Sequence, residues 1–493
     1  MAPPITLEHE DGVDMTEFSG GTSSPPDIQN DISLSSSSPA YHTTTAGSVI
    51  PIAPRRSGMY VTARNLTMTV GTEKKNNVKN ILSDLNFFLK PGSMVLILGS
   101  PGCGKTSIMK ALACQTHDER LSGKLLFNGK EPNPDTHHRD CIYVVQEDHH
   151  MAPFTVKETF KFSADMQMPE GTTEEQKNQR VETIMKMLGL ESQADTIVGN
   201  EFLRGISGGQ KKRVTIGVEF VKDANLILLD ECSTGLDSTT TLDLITNIKE
   251  IVTTQNVSCI VSLLQPGSEI VRLFDFLMVL SEGQMAYFGP MNSGIDYFEE
   301  LGFKLPSHHN PAEFFQEIVD EPELYYAKEG EPPLKGTQQF AQAYKNSEIC
   351  KKVCDDLDNN IPNPSDFKDS SHMTAYPTST GYQILKTSLR AFKMLVSNPV
   401  VVRVRIIKSI VMGLILGSLF WDLSADQAGG NNRSGLIFFS LLFVIFGGFG
   451  SITVLTPYFA LRDGHLFSVG LLDVWIAGEC WKIHLLYLDG LGE

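Results

Sequence analysis

The sequence predicts an α/β domain with a largely parallel sheet, followed by the start of an α-helical membrane domain. Apolar runs at Met94–Leu98, Leu226–Leu229 and 257–264 have the length and composition of buried strands. Between the first two runs, residues 181–188 carry apolar side chains at the spacing of an amphipathic helix. Strands that alternate with helices are typical of a parallel sheet with helices on its faces.

The composition agrees with a folded chain of two or three domains. The 493 residues are 41% hydrophobic and 20% charged, which supplies enough apolar material for a core. The net charge of −17 argues against a nucleic-acid partner, because phosphate contacts need clustered Lys and Arg. The eight cysteines lack the paired spacing of a zinc site, so they indicate a reducing compartment.

The first segment, residues 1–55, is acidic and rich in Ser, Thr and Pro. Such a composition cannot bury enough apolar surface to offset the entropy of ordering, so we expect a disordered cytosolic tail. Residues 1–30 lack the basic start and the apolar run of a signal peptide. We therefore expect membrane targeting from internal segments.

Residues 321–380 are polar and contain prolines, and we interpret them as a linker. A helical pattern follows, with apolar residues on one face and basic residues beside them: Leu385, Leu389, Phe392 and Leu395, with Lys386, Arg390 and Lys393. A basic amphipathic helix fits a membrane surface, but it fits packing against another domain equally well.

Two apolar spans follow this helix, at 406–421 and 435–455. The second span has no charged residue and is long enough to cross a hydrocarbon core of about 30 Å. Arg403, Arg405 and Lys408 crowd the near side of the first span. By the bias of Lys and Arg toward the cytosolic side, the domain before the spans is expected in the cytosol.

A glycine-rich loop after the first apolar strand matches the pattern G-x-x-x-x-G-K-[ST]; it consists of Gly99, Ser100, Pro101, Gly102, Cys103, Gly104, Lys105 and Thr106. Its glycines let backbone N–H groups turn toward phosphate oxygens, and the helix that follows adds positive potential. Lys105 is expected to reach the β- and γ-phosphates, and the Thr106 hydroxyl to ligate Mg²⁺. The sequence therefore predicts a P-loop nucleotide site.

Two further motifs narrow the class of nucleotide-binding protein. The apolar strand Leu226–Leu229 ends in Asp230 and Glu231. Asp230 is expected beside Mg²⁺, and Glu231 can take a proton from an attacking water. Upstream, a second glycine motif opens a helix and offers another anion-binding terminus; it consists of Ser207, Gly208, Gly209 and Gln210.

This set of motifs, in this order, resembles the ATPase domain of ABC proteins over residues 60–320. The resemblance implies that two such domains pair head to tail. Each ATP would then lie between the P-loop of one domain and the motif of the other domain that corresponds to residues 207–210. It also implies that Gln146 contacts Mg²⁺ and faces the membrane domain, and that residues 233–237 form the D-loop.

The motifs at 203–213, 262–266 and 297–315 resemble the G subfamily, in particular the N-terminal half of its pleiotropic-drug-resistance type. That resemblance implies an ABC domain at 56–320, a linker at 321–380, the start of a membrane domain at 381–457 and an atypical tail at 458–493. It implies ATP and Mg²⁺ as cofactors, a lipid membrane and a second ABC half as partners, and export of a lipophilic small molecule.

The sequence departs from the family in three places. Leu264 occupies the position of the switch histidine. His149 and His150 do not replace it, because they follow Gln146 and not the third predicted strand, and they are expected to be solvated loop residues. Met68 falls near the aromatic that stacks on adenine. Two spans are present where the family has six, so a truncated partner that binds ATP without transporting is an alternative. A soluble ABC ATPase acting on ribosomes or DNA is disfavoured by the span at 435–455 and by the acidic charge.

Overall fold

The computed structural model describes residues 58–71, 79–116, 119–201, 203–307, 309–327, 333–359, 376–397, 399–421 and 434–442. The strands, in chain order, are β1 (Val61–Val70), β2 (Lys79–Leu89), β3 (Met94–Leu98), β4 (Glu119–Phe127), β5 (Cys141–Val144), β6 (Leu226–Leu229), β7 (Ser258–Ser262), β8 (Phe276–Ser281) and β9 (Gln284–Pro290).

The helices begin with those that surround the sheets: α1 (Lys105–Leu112), α2 (Pro134–Asp140), α3 (Val156–Gln167), α4 (Glu174–Met187), α5 (Gly208–Phe220), α6 (Ser238–Gln255), α7 (Ser268–Val271), α8 (Ser293–Glu300) and α9 (Pro311–Asp320). Toward the C-terminus follow α10 (Thr337–Asn346), α11 (Glu348–Asn359), α12 (Thr380–Ser397) and α13 (Pro399–Leu419), and residues 434–442 are helical as well. The expected α/β domain followed by helices is confirmed.

The central sheet has the strand order β5-β6-β7-β3-β8-β9. Its strands are parallel except for β9, which pairs antiparallel with β8. The predicted strands at Met94–Leu98 and Leu226–Leu229 are confirmed, and all their residues are buried. The third predicted run is shorter than expected, because β7 ends at Ser262, beyond which Leu263 is buried and Leu264 is exposed. The carboxyl ends of β3, β6 and β7 thus meet at one edge, where ligands of open α/β sheets bind.

A second sheet, which the sequence did not predict, is antiparallel with the order β2-β1-β4. It joins the central sheet through aromatic packing, with the Phe88 ring 5.4 Å from Phe276 and 5.3 Å from Phe288, both edge to face. Edge-to-face pairs at this separation stabilise beyond their buried area. This sheet fixes β2 and the turn after β8 beside the glycine-rich loop, since Ser83 N–H donates to Gly283 O at 2.8 Å.

A helical subdomain of α3, α4 and α5 lies in the chain between β5 and β6. Each of its helices begins with a capping box, in which the first side chain and the side chain three residues later satisfy each other's backbone N–H groups. The predicted helix at 181–188 is confirmed as the end of α4. Reciprocal caps hold the start of each helix rigid, and one of those starts is the predicted motif at 207–210.

Part of the segment expected to be a linker is helical and packs on the two sheets. The Tyr344 hydroxyl of α10 donates to Phe288 O at 2.8 Å, and Thr337 shares a buried hydrogen bond of 2.8 Å with Ser281. On α11, Asp356 accepts a hydrogen bond of 3.0 Å from Lys90. The polar composition reflects the outer faces of two short helices, not an extended connection.

The basic helix that could have faced a membrane surface instead packs on the helical subdomain. Lys386 of α12 lies 2.9 Å from Asp165, and Lys393 pairs with Glu158 at 2.5 Å. The Arg390 guanidinium lies 3.8 Å from the centroid of the Phe162 ring. The basic face of α12 is therefore directed at α3 and α4.

The first predicted span overlaps α13, and residues 434–442 at the start of the second are helical. Among the described residues, no helix is both long enough and apolar enough to cross a membrane. Residues 443–455 of the second predicted span, the tail at 1–55 and the segment 458–493 lie outside the described residues.

Candidate nucleotide site

The glycine-rich loop folds around the ammonium of Lys105, which is only 5% exposed. Lys105 Nζ donates to Gly99 O at 2.7 Å and to Ser100 O at 3.1 Å. Cys103 N–H donates to Ser100 O at 3.2 Å, which closes the loop. Burial raises the pKa of the Cys103 thiol, so this side chain lines the loop in its neutral form. The lysine is thus already desolvated and aimed into the loop.

Two glycines of the loop are required by space and by backbone angle. At Gly99, where φ is 152°, an added Cβ would lie 2.3 Å from Leu280 O. At Gly104, where φ is 110°, a Cβ would lie 2.7 Å from the Leu82 side chain. Gly104 caps α1 without any side-chain hydrogen bond, so the first N–H groups of the helix stay available to an anion.

Asp230 and Glu231 follow β6 and are linked through Ser262 at the end of β7. Ser262 Oγ donates to Asp230 Oδ1 at 2.7 Å and accepts from Glu231 N–H at 2.8 Å. Asp230 is 1% exposed, and its Oδ2 has no hydrogen-bond partner within the described residues. A buried carboxylate oxygen without a donor suits a hard cation such as Mg²⁺. Sequence reasoning missed Ser262, because only the pairing of β6 with β7 brings it here.

Gln146, expected to belong to this site, does reach it. Gln146 Nε2 donates to Glu231 Oε2 at 2.6 Å across 85 residues of chain. Glu231 holds a φ of 47°, a left-handed backbone that non-glycine residues adopt rarely. Such strained positions cluster at functional sites. The described chain therefore brings Gln146, Asp230 and Glu231 together at the sheet edge that also carries the P-loop.

The second glycine motif lies on a different subdomain, at the start of α5. Ser207 Oγ accepts from Gln210 N–H at 3.2 Å, and Gln210 Oε1 accepts from Ser207 N–H at 2.9 Å. A Cβ added at Gly208 would meet no atom within 4 Å, whereas one at Gly209 would approach Gly235 O to 3.0 Å. Ser207 and Gln210 bond each other rather than the P-loop, and the surface at Gly208 is open.

The three departures from the family take definite positions. Leu264 is 42% exposed beyond the end of β7, and Met68 is 1% exposed inside β1, where it cannot stack on a base. His149 is exposed and lies 3.1 Å from Glu147. The interpretation of His150 as a solvated residue is wrong, because its Nε2 lies 2.8 Å from Thr215 Oγ1 on α5. Desolvation lowers the pKa of His150 to about 4, so it is neutral at pH 7.

No group of three or more His, Cys, Asp and Glu side chains in the described part of the chain could hold a metal ion. A divalent ion at Asp230 would thus be held by one carboxylate, by neutral oxygens such as those of Thr106 and Gln146, and by nucleotide and water, and Mg²⁺ is usually bound with few carboxylates in this way. Together with the open N–H groups of α1 and the desolvated Lys105, the donor set fits Mg-ATP.

Comparison with known proteins agrees with this geometry. Residues 82–234 match the family described as ABC transporter. Residues 382–459 match the ABC-2 type transporter family, and residues 264–329 match a second family of that description. The match order, an ATPase domain followed by a membrane domain, is the order that the sequence predicts.

Among curated proteins, ABC transporter G family member 2 of Dictyostelium discoideum is 67% identical over 86% of this chain, and the chain spans 32% of its length. The mouse broad substrate specificity ATP-binding cassette transporter ABCG2 is 37% identical over 74% of this chain, which spans 58% of it. Among solved structures, a dimeric ATP-binding cassette bound to ADP and Pi is 20% identical, covering 47% of this chain and 98% of its own, with a TM-score of 0.41. The chain thus combines an ABC transporter match with an ABC-2 type transporter match, and it is similar to G family ABC transporters over most of its length.

Proposed function

We propose that this chain couples ATP binding and hydrolysis to the export of a lipophilic small molecule across a membrane. The observation that supports this most directly is the cluster of Gln146, Asp230 and Glu231 at the edge of the sheet where the P-loop begins. Phosphoryl transfer depends on positioning and on stabilisation of developing charge, and this cluster combines an acceptor for a proton with an acceptor for a cation.

In this proposal the loop 99–104 and Lys105 hold the phosphates, and Lys105 exchanges two loop carbonyls for phosphate oxygens. Thr106, Asp230 and Gln146 would hold Mg²⁺, which neutralises charge on the phosphates when bound. Glu231 orients the attacking water and accepts its proton. The amide of Gln146 donates to the Glu231 carboxylate and so orients it in the site.

The second cassette of the transporter would complete the site. Ser207, Gly208, Gly209 and Gln210 form a capped, open helix start that bonds no part of this chain's own P-loop. We therefore assign these residues to a nucleotide held on a partner cassette, paired head to tail with this one. The partner is a second ABC half, in the same protein or in another copy.

The match of residues 382–459 to ABC-2 type transporters supports a membrane location for the segment after α12. The basic residues Arg403, Arg405 and Lys408 precede the apolar part of this segment, which favours a cytosolic position for the ATPase domain and the N-terminal tail. A substrate would lie between membrane helices, where apolar surfaces favour lipophilic compounds.

The test is nucleotide binding by Lys105→Ala. Loss of the ammonium should weaken Mg-ATP binding at least about tenfold, since a hydrogen bond to a charged group contributes about 1.5–3 kcal/mol. The matched control is Lys110→Ala, five positions along the same helix α1 and outside the loop. Binding is measured by fluorescence of an ATP analogue, and equal affinity of the Lys105→Ala variant and the unaltered chain would contradict the assignment of the loop.

A further inference from the structure

Lys212 of α5 has a buried ammonium group whose role the nucleotide site does not yet explain. It is 1% exposed and lies two residues after the motif 207–210. A buried lysine is costly unless its charge is paired and its N–H donors are used. An apolar side chain in the same space would avoid the free-energy cost of desolvating a charge. The partners of this ammonium therefore indicate what it does.

Those partners lie on the segment that carries Gln146. Lys212 Nζ donates to Gln146 O at 2.7 Å and to Val145 O at 3.1 Å. The ammonium also lies 3.7 Å from Asp148 Oδ1, and this carboxylate balances the positive charge of Lys212. One side chain of the helical subdomain thus holds the backbone of the residue that bonds Glu231.

A second contact, one helical turn along, fixes the same segment to the same helix face. Thr215 Oγ1 donates to Asp148 Oδ1 at 2.5 Å, and His150 Nε2 lies 2.8 Å from that hydroxyl. Residues three apart on a helix share a face, so Lys212 and Thr215 act together on residues 145–150. The segment after β5 is therefore attached to α5 rather than free to move alone.

We propose that Lys212 is a positioning residue: it carries shifts of α5 to the backbone of Gln146, and through it to Glu231. From Ser207 to Lys212 the helix rises only about 7.5 Å, so an anion bound at the helix start moves Lys212 with it. Nucleotide on a partner cassette thereby sets the geometry of this chain's own hydrolytic residues. The inference rests on the proposed function, because it presumes ATP turnover at Glu231.

The test compares Lys212→Met, Lys212→Arg and Lys211→Met in the full chain in lipid vesicles. Lys212→Met should leave the Kd for Mg-ATP within about twofold and lower kcat by roughly tenfold to a hundredfold, the cost of a misplacement near 1 Å. Lys212→Arg should recover most of kcat, because a guanidinium can also donate to two carbonyls. Lys211→Met, the neighbouring lysine, should behave as the unaltered chain.

The decisive readout is non-additivity with Gln146→Ala. If Lys212 acts through Gln146, the double variant Lys212→Met/Gln146→Ala has the kcat of Gln146→Ala alone. Additive losses, an unchanged kcat, or equal losses of kcat and of ATP affinity would overturn the proposal. If Lys212→Met does not fold, Lys212→Gln replaces it, and failure of both to fold would reduce Lys212 to a stability role and overturn the proposal. An unaltered chain without ATP turnover would instead contradict the proposed function.

Discussion

At the scale of single residues, the charged groups of the candidate site are hydrogen-bonded within the described chain, with one exception. Glu231 accepts from Gln146 at 2.6 Å, and Lys105 donates to two loop carbonyls. Asp230 differs, because Ser262 bonds one of its carboxylate oxygens and the other has no partner in the described chain. A preorganised site of this kind stabilises charge without reorganising during the reaction. At the position beyond β7 where the family has its switch histidine, this chain has the exposed Leu264, whose side chain cannot donate a hydrogen bond.

We predict that Leu264 slows turnover at this chain's P-loop without weakening ATP binding. One preorganised donor contributes a factor of about 10²–10³ in rate. In a reconstituted pair whose other site is disabled by a Glu→Gln change, Leu264→His should raise turnover at least roughly tenfold. Leu264→Met, which changes shape but adds no donor, serves as the control. An unaltered rate in Leu264→His, or an equal rise in Leu264→Met, would contradict this role.

The residues of the P-loop could be placed from sequence, because their spacing alone defines the loop. Ser262 and Lys212 could not, since each acts across a tertiary contact: Ser262 lies 31 residues from Glu231, and Lys212 lies 66 from Gln146. His150 was misinterpreted for the same reason, because its partner Thr215 is 65 residues away. Spacing patterns report what neighbours along the chain can do, and these contacts have no such pattern.

At the scale of elements, α12 is fastened to the helical subdomain by a buried group of charges. Asp165 on α3 lies 2.9 Å from both Lys177 of α4 and Lys386 of α12, and it accepts from the Tyr382 hydroxyl at 3.0 Å. Burial by itself would raise the pKa of Asp165, but hydrogen bonds from the two lysines and their charges outweigh it. The pKa of Asp165 therefore lies below its usual 3.8.

We predict that Asp165→Asn destabilises the docked helix by about 1–3 kcal/mol. The buried Lys177 loses its nearest counter-ion, while Glu174 and the Tyr382 hydroxyl remain beside it. Glu174→Gln is the control, because Glu174 is exposed and lies 3.9 Å from the same lysines. A carboxylate with a lowered pKa stabilises the fold above its unfolded pKa, and this contribution is lost as the pH falls through the folded value.

Thermal unfolding should therefore separate Asp165→Asn from the unaltered chain at pH 7. The difference should shrink below the usual pKa of 3.8 and vanish only once the pH has fallen through the lower folded pKa of Asp165. A difference that persists unchanged into acid would mean that shape, not charge, accounts for the loss.

The amphipathic pattern of α12 could not reveal this docking from sequence, because the same basic face suits anionic lipid and acidic helices alike. The antiparallel sheet was also missed, since β4 is largely exposed and its side chains do not form an apolar run.

At the scale of the whole molecule, the described chain contains a P-loop and a helix start at 207–210 that do not bond each other. If each nucleotide lies between two cassettes, one chain supplies half of each of two sites. The loop and the helix start then have separate roles in binding and in assembly. This division of roles can be measured with a single substitution.

We predict that Gly208→Asp leaves ATP binding by the isolated chain unchanged and abolishes turnover when a second cassette is present. An added side chain at Gly208 meets no atom of the described chain within 4 Å, so folding should tolerate it. Its carboxylate would repel the γ-phosphate held on the partner. Gly208→Ala is the uncharged control, and loss of ATP binding by the isolated Gly208→Asp chain would refute head-to-tail pairing as the account of this motif.

The docking of α12 also has a mechanical consequence. The helix has 18 residues and so a length of about 27 Å, and contacts from Lys386, Arg390 and Lys393 bind it to α3 along much of that length. A helix held at several points along its length would rotate together with the helical subdomain instead of bending. A ten-degree rotation of the subdomain about the Thr380 end would carry the Ser397 end through about 5 Å, nearly the rise of a full helical turn. If the subdomain rotates when nucleotide binds, as the proposed function requires, the docked helix α12 would convert that small angular change into a linear displacement at the first residue of α13.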